Sequence, residues 1–190
     1  MSEELSTDVL VIGWGKAGKT LAGALGRAGR SVTLVEQSAD MVGGTCINIG
    51  CVPTKALVHQ AQTRRDADDP QEWFRGAVDA RDRLIDKLNA ANRAMLEPLD
   101  QVRLVVGGRA EFTGAKQVRV TGGDDELVVT ADTVIINTGA VPRRLEVPGS
   151  DDPRVHDSTT IQHVDPFPSR LAIVGGGPIS LEFASMFAGF

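Results

Sequence analysis

A glycine-rich turn between a short apolar run and a helical pattern is the feature that most constrains the fold of this chain. Residues 8–12 have the sequence D-V-L-V-I, which is typical of a buried parallel strand. Residues 13–18, G-W-G-K-A-G, follow directly, and residues 16–28 place small side chains on one face of a predicted helix. A second β-branched run at 31–35 ends at Glu36. Strand, glycine turn, helix and strand in this order predict a βαβ unit with a right-handed crossover.

The glycine turn and the acid after the second strand have the residue types of a dinucleotide site. The first glycine permits a tight turn, the second lets a pyrophosphate approach the backbone, and the third lets helix and strand pack closely. The first helical turn offers N–H groups and a partial positive charge to phosphates, and the carboxylate can bind ribose hydroxyls. A glycine-rich turn without a ligand is the alternative. The residues that we assign to the nucleotide are Gly13, Gly15, Lys16, Ala17, Gly18 and Glu36.

Length and composition limit the classes of protein to which the chain can belong. Its 190 residues can form one domain and part of a second. Apolar residues make up 42% and charged residues 24%, which excludes a disordered chain or a coiled coil. The net charge of -5 argues against a nucleic-acid partner. No apolar run approaches the ~20 residues of a membrane span, and the sequence starts M-S-E-E without the basic stretch of a secretory signal. We therefore expect a cytoplasmic protein without a membrane partner.

The middle of the chain predicts two helices and several strands. We expect one helix to run from the cysteine segment to about residue 67 and another from about 70 to 99. Residues 133–136, T-V-I-I, predict a further buried strand. Short strands that we expect to form a small antiparallel ribbon lie at 103–106, 117–120 and 127–129.

The last fifty residues predict the start of a second unit. Prolines are concentrated in residues 141–170, which indicates an extended connection and a domain boundary. A strand at 171–174 and a glycine turn followed by a helix at 175–187 then repeat the pattern of the N-terminus. We predict a first domain over residues 1–150, and a connection with the start of a second nucleotide-binding unit over 151–190.

The two cysteines, Cys46 and Cys51, lie at the start of a predicted helix. A helix N-terminus and a nearby lysine lower the pKa of a thiol and favour the reactive thiolate. A zinc site needs further ligands, and none of the three histidines in the chain supplies a second ligand cluster. Burial of both residues as small hydrophobic side chains is the other alternative. The pattern favours a redox pair.

The segment 43–55, G-G-T-C-I-N-I-G-C-V-P-T-K, resembles the active-site signature of the class I pyridine nucleotide–disulfide oxidoreductases. This family includes glutathione reductase, dihydrolipoamide dehydrogenase and mercuric reductase. The resemblance implies an α/β fold: a Rossmann-like FAD-binding domain with a parallel sheet, helices on both sides and a small antiparallel insertion. It also implies electron transfer from NAD(P)H through FAD to a Cys46–Cys51 disulfide, and on to a small-molecule disulfide or a metal ion. No metal is implied as a resident cofactor.

The resemblance also implies a role for individual residues. Cys46 resembles the interchange thiol that meets substrate, and Cys51 resembles the thiolate that lies against the flavin. Lys55 matches the lysine near the flavin, and Glu182 matches its acidic partner. Asn137 departs from the family, in which this strand usually ends in A-T-G. Other positions implied for FAD are Gly44, Thr45, Ala110, Thr138 and Gly139. For the last three, the alternative is that these residue types only mark the ends of strands and bind nothing.

A second glycine turn, residues 175–180, resembles the family's NAD(P)H fingerprint. Gly175 and Gly177 are the positions that we assign to the nicotinamide nucleotide. Pro178 and Ser180 depart from the family's pattern, although proline is tolerated in the first turn of a helix.

The chain resembles an N-terminal fragment of such an enzyme, because relatives are more than twice as long. Full-length relatives are homodimers, and the dimerisation domain with its acid–base histidine is absent here, so we expect no turnover from the fragment. We also expect the apolar residues of the last helix to be exposed: Leu181, Phe183, Met186 and Phe187. The most similar branch is the bacterial one linked to reactive-chlorine stress and copper(II) reduction. The alternative function is a non-catalytic thiol protein that holds a soft metal at Cys46 and Cys51.

Overall fold

The computed structural model describes residues 3–122 and 125–190. These residues fall into two compact units. The first, which we call the sheet unit, is drawn from Met1–Asn48 and Lys87–Ala140. The second, the helical unit, comprises Ile49–Asp86 and Val141–Phe190. The predicted boundary after residue 150 stays a prediction.

The sheet unit is built on a six-stranded sheet with the order β3-β2-β1-β6-β5-β4. β1 lies near its centre and pairs in parallel with β2 and β6, and β2 pairs in parallel with β3. β4, β5 and β6 are antiparallel neighbours. The strands are β1 Glu3–Ile12, β2 Val32–Glu36, β3 Val102–Val106, β4 Arg109–Gly114, β5 Gln117–Gly122 and β6 Asp125–Ile136. This mixed α/β arrangement confirms the predicted Rossmann-like fold class.

Five α-helices are described. They are α1 Lys16–Arg27, α2 Thr45–Asn48, α3 Cys51–Thr63, α4 Pro70–Leu96 and α5 Pro178–Gly189, with 3₁₀ turns at Ala39–Met41 and Thr160–His163. The small residues of α1 face the sheet, and a Cβ at Gly26 would lie 2.5 Å from Val102 Cγ2. The helix can therefore approach the strands closely. Among the described residues, no helix has the length and apolar character needed to cross a bilayer.

β2 and the C-terminal half of β1 are buried on both of their faces. Alternate residues of β1 point in opposite directions, so that Val9 and Val11 join one apolar cluster and Leu10 joins the other. All five residues of β2 are buried. This explains why both strands have continuous apolar sequences instead of alternating ones.

The helical unit buries residues that the sequence placed at the surface. Phe183, Met186 and Phe187 are buried with Leu57 and Ala61 of α3, so the expectation that they are exposed is wrong. Leu181, the fourth residue of that set, is 67% exposed. The ring centroids of Phe74 and Phe187 lie 5.9 Å apart, and those of Phe167 and Phe187 lie 5.5 Å apart. The apolar face of α5 therefore has a core within its own unit.

Four predicted strands differ from the structure. Residues 103–106 belong to β3, a parallel edge strand beside β2, and not to the antiparallel ribbon. Residues 127–129 and 133–136 form one continuous strand, β6, because the polar residues between them also pair with β1. Residues 171–174 form no strand in the described structure, because a strand needs a hydrogen-bonded neighbour.

Candidate functional site

The first glycine turn begins where β1 ends. Gly13 has φ 102°, a left-handed conformation that favours glycine. Its N–H donates to Val35 O at 2.7 Å. A Cβ there would lie 2.2 Å from the backbone oxygen of Asn137. Glycine is therefore required at this position by conformation and by close approach to the end of β6.

The N-terminus of α1 leaves its backbone N–H groups available to a phosphate group. Gly15 is the N-cap residue, and among the described residues no side chain caps this end of the helix. Lys16 and Ala17 are exposed, whereas Gly18 is buried against the sheet. The backbone N–H groups of the first turn have no partner within an α-helix, so they can donate to an anion.

Glu36 ends β2 and is only 8% exposed. Its Oε2 accepts a hydrogen bond from Trp14 N at 2.9 Å, and its Oε1 accepts one from Ser38 N at 3.1 Å. A carboxylate has about four lone-pair sites, so two remain for ribose hydroxyls. The backbone oxygen of Glu36 also accepts from Gly107 N and Gly108 N, at 2.8 and 3.2 Å. Glu36 therefore holds the glycine turn and the loop before β4.

Two further segments lie against the glycine turn. A Cβ at Gly44, which has φ 77°, would lie 2.5 Å from Gly15 Cα. Thr45 begins α2, and its Oγ1 lies 3.3 Å from the position of a Cβ at Gly139. The structure thus brings together glycines from three parts of the chain. Such a backbone-lined cradle, which Cβ atoms would fill, fits the close approach of a dinucleotide pyrophosphate.

The remaining positions assigned to FAD lie nearby in sequence or in the sheet. Thr138 is exposed, and its Cα lies 3.2 Å from the position of a Cβ at Gly13. Ala110 is half-buried in β4, where it pairs with Val120. Its role in contacting adenine stays a prediction.

The α2 helix carries Cys46, which is half-buried. The helix is held by Asn48, whose Nδ2 donates to Val42 O and to Gly44 O, both at 3.0 Å. Asn89 of α4 donates in turn to Asn48 Oδ1 at 3.0 Å. These amide contacts fix the segment in which Cys46 is placed.

Lys19 is a site residue that the sequence reasoning missed. Its Nζ donates to Oδ1 of Asn92, which is buried and donates through Nδ2 to Leu88 O at 2.6 Å. The pKa of the Lys19 ammonium group lies below its usual value, chiefly because of burial and also because of Lys16, while the charge of Cys46 acts in the opposite direction. Lys19 and Cys46 therefore interact electrostatically. The sequence feature that could have identified Lys19 was its position about one helical turn after Lys16.

The helical unit holds the second cysteine. Cys51 is exposed and is the first residue of α3, directly after the N-cap residue Gly50. Lys55 of α3 forms an ion pair with Glu182 of α5, through Nζ and Oε1. The two residues that the family resemblance paired are thus in contact. Lys55 is largely exposed to solvent, so the pair contributes little to the stability of the unit.

The second glycine turn is open. Gly175 has φ 115° and is exposed, and Gly177 is the N-cap residue of α5. Within the described residues, a Cβ at Gly176 or Gly177 would meet no atom within 4 Å. Packing within the protein therefore does not require glycine at these two positions. Space needed by a ligand is compatible with glycine there.

In the solved structures, the chain matches the Cu(II) complex of the HOCl-induced flavoprotein disulfide reductase RclA from Escherichia coli. The TM-score is 0.88 at 40% identity, over 100% of this chain and 41% of that one. The sequence is 42% identical to probable pyridine nucleotide-disulfide oxidoreductase RclA of E. coli strain K12, over 95% of this chain and 40% of the relative. It is 33% identical to dihydrolipoyl dehydrogenase of Vibrio cholerae, over 98% and 41% of the two chains.

The chain spans about two fifths of the length of these relatives. The family model for pyridine nucleotide-disulphide oxidoreductases matches residues 7–190. Members of this family use FAD and NAD(P)H, which agrees with the glycine cradle of the sheet unit. The similarity to RclA also agrees with the branch that the sequence indicated. The chain belongs to the pyridine nucleotide-disulphide oxidoreductase family.

Proposed function

We propose that the protein is an oxidoreductase that passes electrons from NAD(P)H, through FAD, to the Cys46–Cys51 pair and on to a disulfide or metal-ion substrate. The observation that carries the proposal is the glycine cradle, in which Gly44 meets Gly15, and Gly139 lies against Thr45 of the helix that holds Cys46. Bound FAD would supply the hydride chemistry with NAD(P)H, which protein side chains do not perform.

The sheet unit would bind and orient the dinucleotide. The N–H groups at the start of α1 would donate to the pyrophosphate, and no side chain of the described residues competes for them as a cap. Glu36 would accept from the ribose hydroxyls with the lone pairs that Trp14 and Ser38 leave available. These contacts need no rearrangement of the turn.

The two cysteines would carry the redox step of the protein. Closing the Cys46–Cys51 disulfide releases two electrons and two protons, and reducing it consumes the same number. Cys51 is the first residue of α3, so its thiol lies at the positive end of the helix dipole. Lys19 would favour the thiolate of Cys46 by its charge. Lys55 and Glu182 would hold a charge pair beside the flavin ring, as the resemblance implies.

The test of these roles is the visible spectrum of the FAD-loaded protein after anaerobic treatment with a dithiol. If Cys51 is the thiolate that faces the flavin, the wild-type protein and the Cys46→Ser variant both show a long-wavelength charge-transfer band. The Cys51→Ser variant lacks this band. The same spectrum in both variants would refute the assignment.

Copper(II) is the metal-ion substrate that we infer alongside disulfides. The inference is supported by the 40% identity to RclA, which has been solved as a Cu(II) complex. We expect the FAD-loaded protein, once reduced with dithionite and freed of excess reductant, to convert Cu(II) to Cu(I) in a single turnover, detected with a Cu(I)-specific chelator, and the Cys46→Ser variant to lose this reaction. Reoxidation of the reduced protein by a disulfide substrate, without Cu(I) formation from Cu(II), would leave only the disulfide class.

A thiol protein that holds a soft metal without catalysis remains the alternative. Purified protein that is colourless, binds no FAD and retains Cu(I) at the two thiols would favour it. Cytoplasmic location also stays a prediction.

A further inference from the structure

Asn137 occupies the position directly after β6, where the family's strand usually ends in alanine. Its backbone N–H donates to Ile12 O at 2.8 Å and so continues the pairing between β6 and β1. Its side-chain Nδ2 donates to Gly13 O at 3.0 Å. One residue therefore connects the end of β6 to the glycine turn through both its backbone and its side chain.

The same amide nitrogen lies against the other two glycines of the turn. It is 2.9 Å from the position of a Cβ at Gly15 and 2.6 Å from that of a Cβ at Gly18. Real Cβ atoms do not approach neighbours this closely. The amide of Asn137 thus lies beside all three glycines of the turn, Gly13, Gly15 and Gly18.

The reason for glycine differs between these positions. Gly15 has φ -68° and ψ 169°, which any residue can adopt, and the three nearest atoms to its Cβ position all belong to Asn137. A Cβ at Gly18 would also meet Val11 Cγ1 at 2.8 Å and Gly13 O at 2.9 Å. A Cβ at Gly15 would therefore clash with the Asn137 side chain. A Cβ at Gly18 would clash with Asn137, with Val11 of β1 and with the backbone of Gly13.

We propose that Asn137 is a positioning residue of the dinucleotide site: its amide fixes the Gly13 carbonyl, and while this hydrogen bond is kept its Nδ2 leaves no room for a Cβ at position 15. The effect on FAD rests on the function proposed above, whereas the packing effect does not. Since Asn137 acts through the glycine turn, it orients the N-terminus of α1 without needing to touch the nucleotide.

The packing effect is tested by a double-mutant cycle on the protein without FAD. We expect Gly15→Ala to lower the unfolding midpoint by several degrees, which corresponds to a loss of about 1 kcal/mol. In the Asn137→Ala background, the same substitution should lower the midpoint far less. The intrinsic cost of alanine at an N-cap is present in both backgrounds and cancels in the cycle. Asn137→Ala introduces the residue usual in the family, so we expect the variant to fold.

Gly18→Ala is the matched control. Removing the Asn137 side chain leaves its clashes with Val11 and Gly13, so Asn137→Ala should not rescue it. Additive effects of Gly15→Ala and Asn137→Ala would overturn the proposal. Equal rescue of Gly15→Ala and Gly18→Ala would overturn it as well, because the effect would then be a general loosening of the turn.

The positioning effect is tested by titrating the apoprotein with FAD at 25 °C, with flavin fluorescence as the readout. We expect Asn137→Ala to weaken binding by about three- to tenfold, the effect of one hydrogen bond. Asn137→Asp keeps the shape but cannot donate to Gly13 O, so it should weaken binding at least as much. Affinity measured far below the unfolding transition does not respond to a loss of stability alone.

An unchanged Kd in both variants would overturn the positioning role. Absence of FAD binding by the wild-type protein would instead overturn the proposed function, and the positioning role with it. The coupling between Asn137 and Gly15 in the apoprotein would still be measurable, so the two failures are distinguishable.

Discussion

The carboxylate of Glu36 accepts a hydrogen bond from the backbone N–H of Trp14 at 2.9 Å. The acid at the end of β2 is therefore bound to the turn at the end of β1 before any ligand is present. Because Glu36 is buried and also accepts from Ser38 N, it contributes to the shape of the site as well as to its chemistry. A substitution at this position changes both.

Glu36→Ala should weaken FAD binding by roughly tenfold to a hundredfold, since hydrogen bonds to charged groups contribute about 1.5–3 kcal/mol. It should also lower the free energy of unfolding of the apoprotein by about 1–3 kcal/mol, because Trp14 N and Ser38 N lose their acceptor. FAD titration and denaturant unfolding measure the two effects. Glu111→Gln, which changes an exposed carboxylate on β4, is the control and should alter neither. Unchanged FAD affinity in Glu36→Ala would place the carboxylate outside the nucleotide site.

The β1–turn–α1–β2 unit was predictable from the sequence because every local signal there agrees with the tertiary structure. Apolar runs, a glycine turn and small helix residues each have one structural solution. The sequence also indicated the contact of Lys55 with Glu182, although only through the family resemblance.

Features that depend on long-range packing were not predictable in this way. The polar middle of β6 suggested two strands, but pairing with β1 along its length makes it one. The apolar face of α5 suggested a missing neighbour, but α3 and the phenylalanines around Phe74 supply it. The contacts of Lys19 with Asn92 and of Asn137 with the glycine turn join residues far apart in the sequence, so neither contact could be predicted from the local pattern.

Met186 and Leu181 test the burial of α5. Met186 is 1% exposed, so Met186→Ala should lower the free energy of unfolding by about 2–5 kcal/mol. Leu181→Ala, on the exposed side of the same helix, should change it by less than about 0.5 kcal/mol. Denaturant unfolding followed by circular dichroism measures both. Equal losses in the two variants would mean that α5 is not packed as described.

Lys19→Met should make Cys46 less reactive. Lys19 is a cation that interacts with the charge of Cys46, so its removal should raise the pKa of the thiol. Alkylation of Cys46 at neutral pH, measured in a Cys51→Ser background, should become roughly several-fold slower. Lys116→Met removes an exposed lysine from the turn before β5 and is the control. Equal alkylation rates in the Lys19 and Lys116 variants would remove Lys19 from the site.

His163 should make the helical unit less stable in acid. Burial and the Arg81 guanidinium lower the pKa of His163 below its usual 6.5, while Asp82 raises it. Arg81 Nη2 lies 2.9 Å from Nδ1 of the imidazole, a contact that requires the neutral ring to accept. A base with a depressed pKa in the folded state binds fewer protons than the unfolded chain, so stability is lost as the pH falls below 6.5.

The measurement is the free energy of unfolding between pH 8 and pH 5, for the wild-type protein and for His163→Gln, at roughly one-unit intervals. The wild-type protein should lose more stability than the variant over this range. Parallel curves for the two proteins would show that His163 does not titrate differently on folding.

The most direct test of the central claim is the number of electrons that the FAD-loaded protein accepts. Anaerobic titration with dithionite should consume about two two-electron equivalents per FAD, one for the flavin and one for the disulfide. The Cys51→Ser variant should consume about one. Two equivalents in the wild-type protein and one in the variant would establish that Cys46 and Cys51 exchange electrons with the flavin. One equivalent in both proteins would contradict the account.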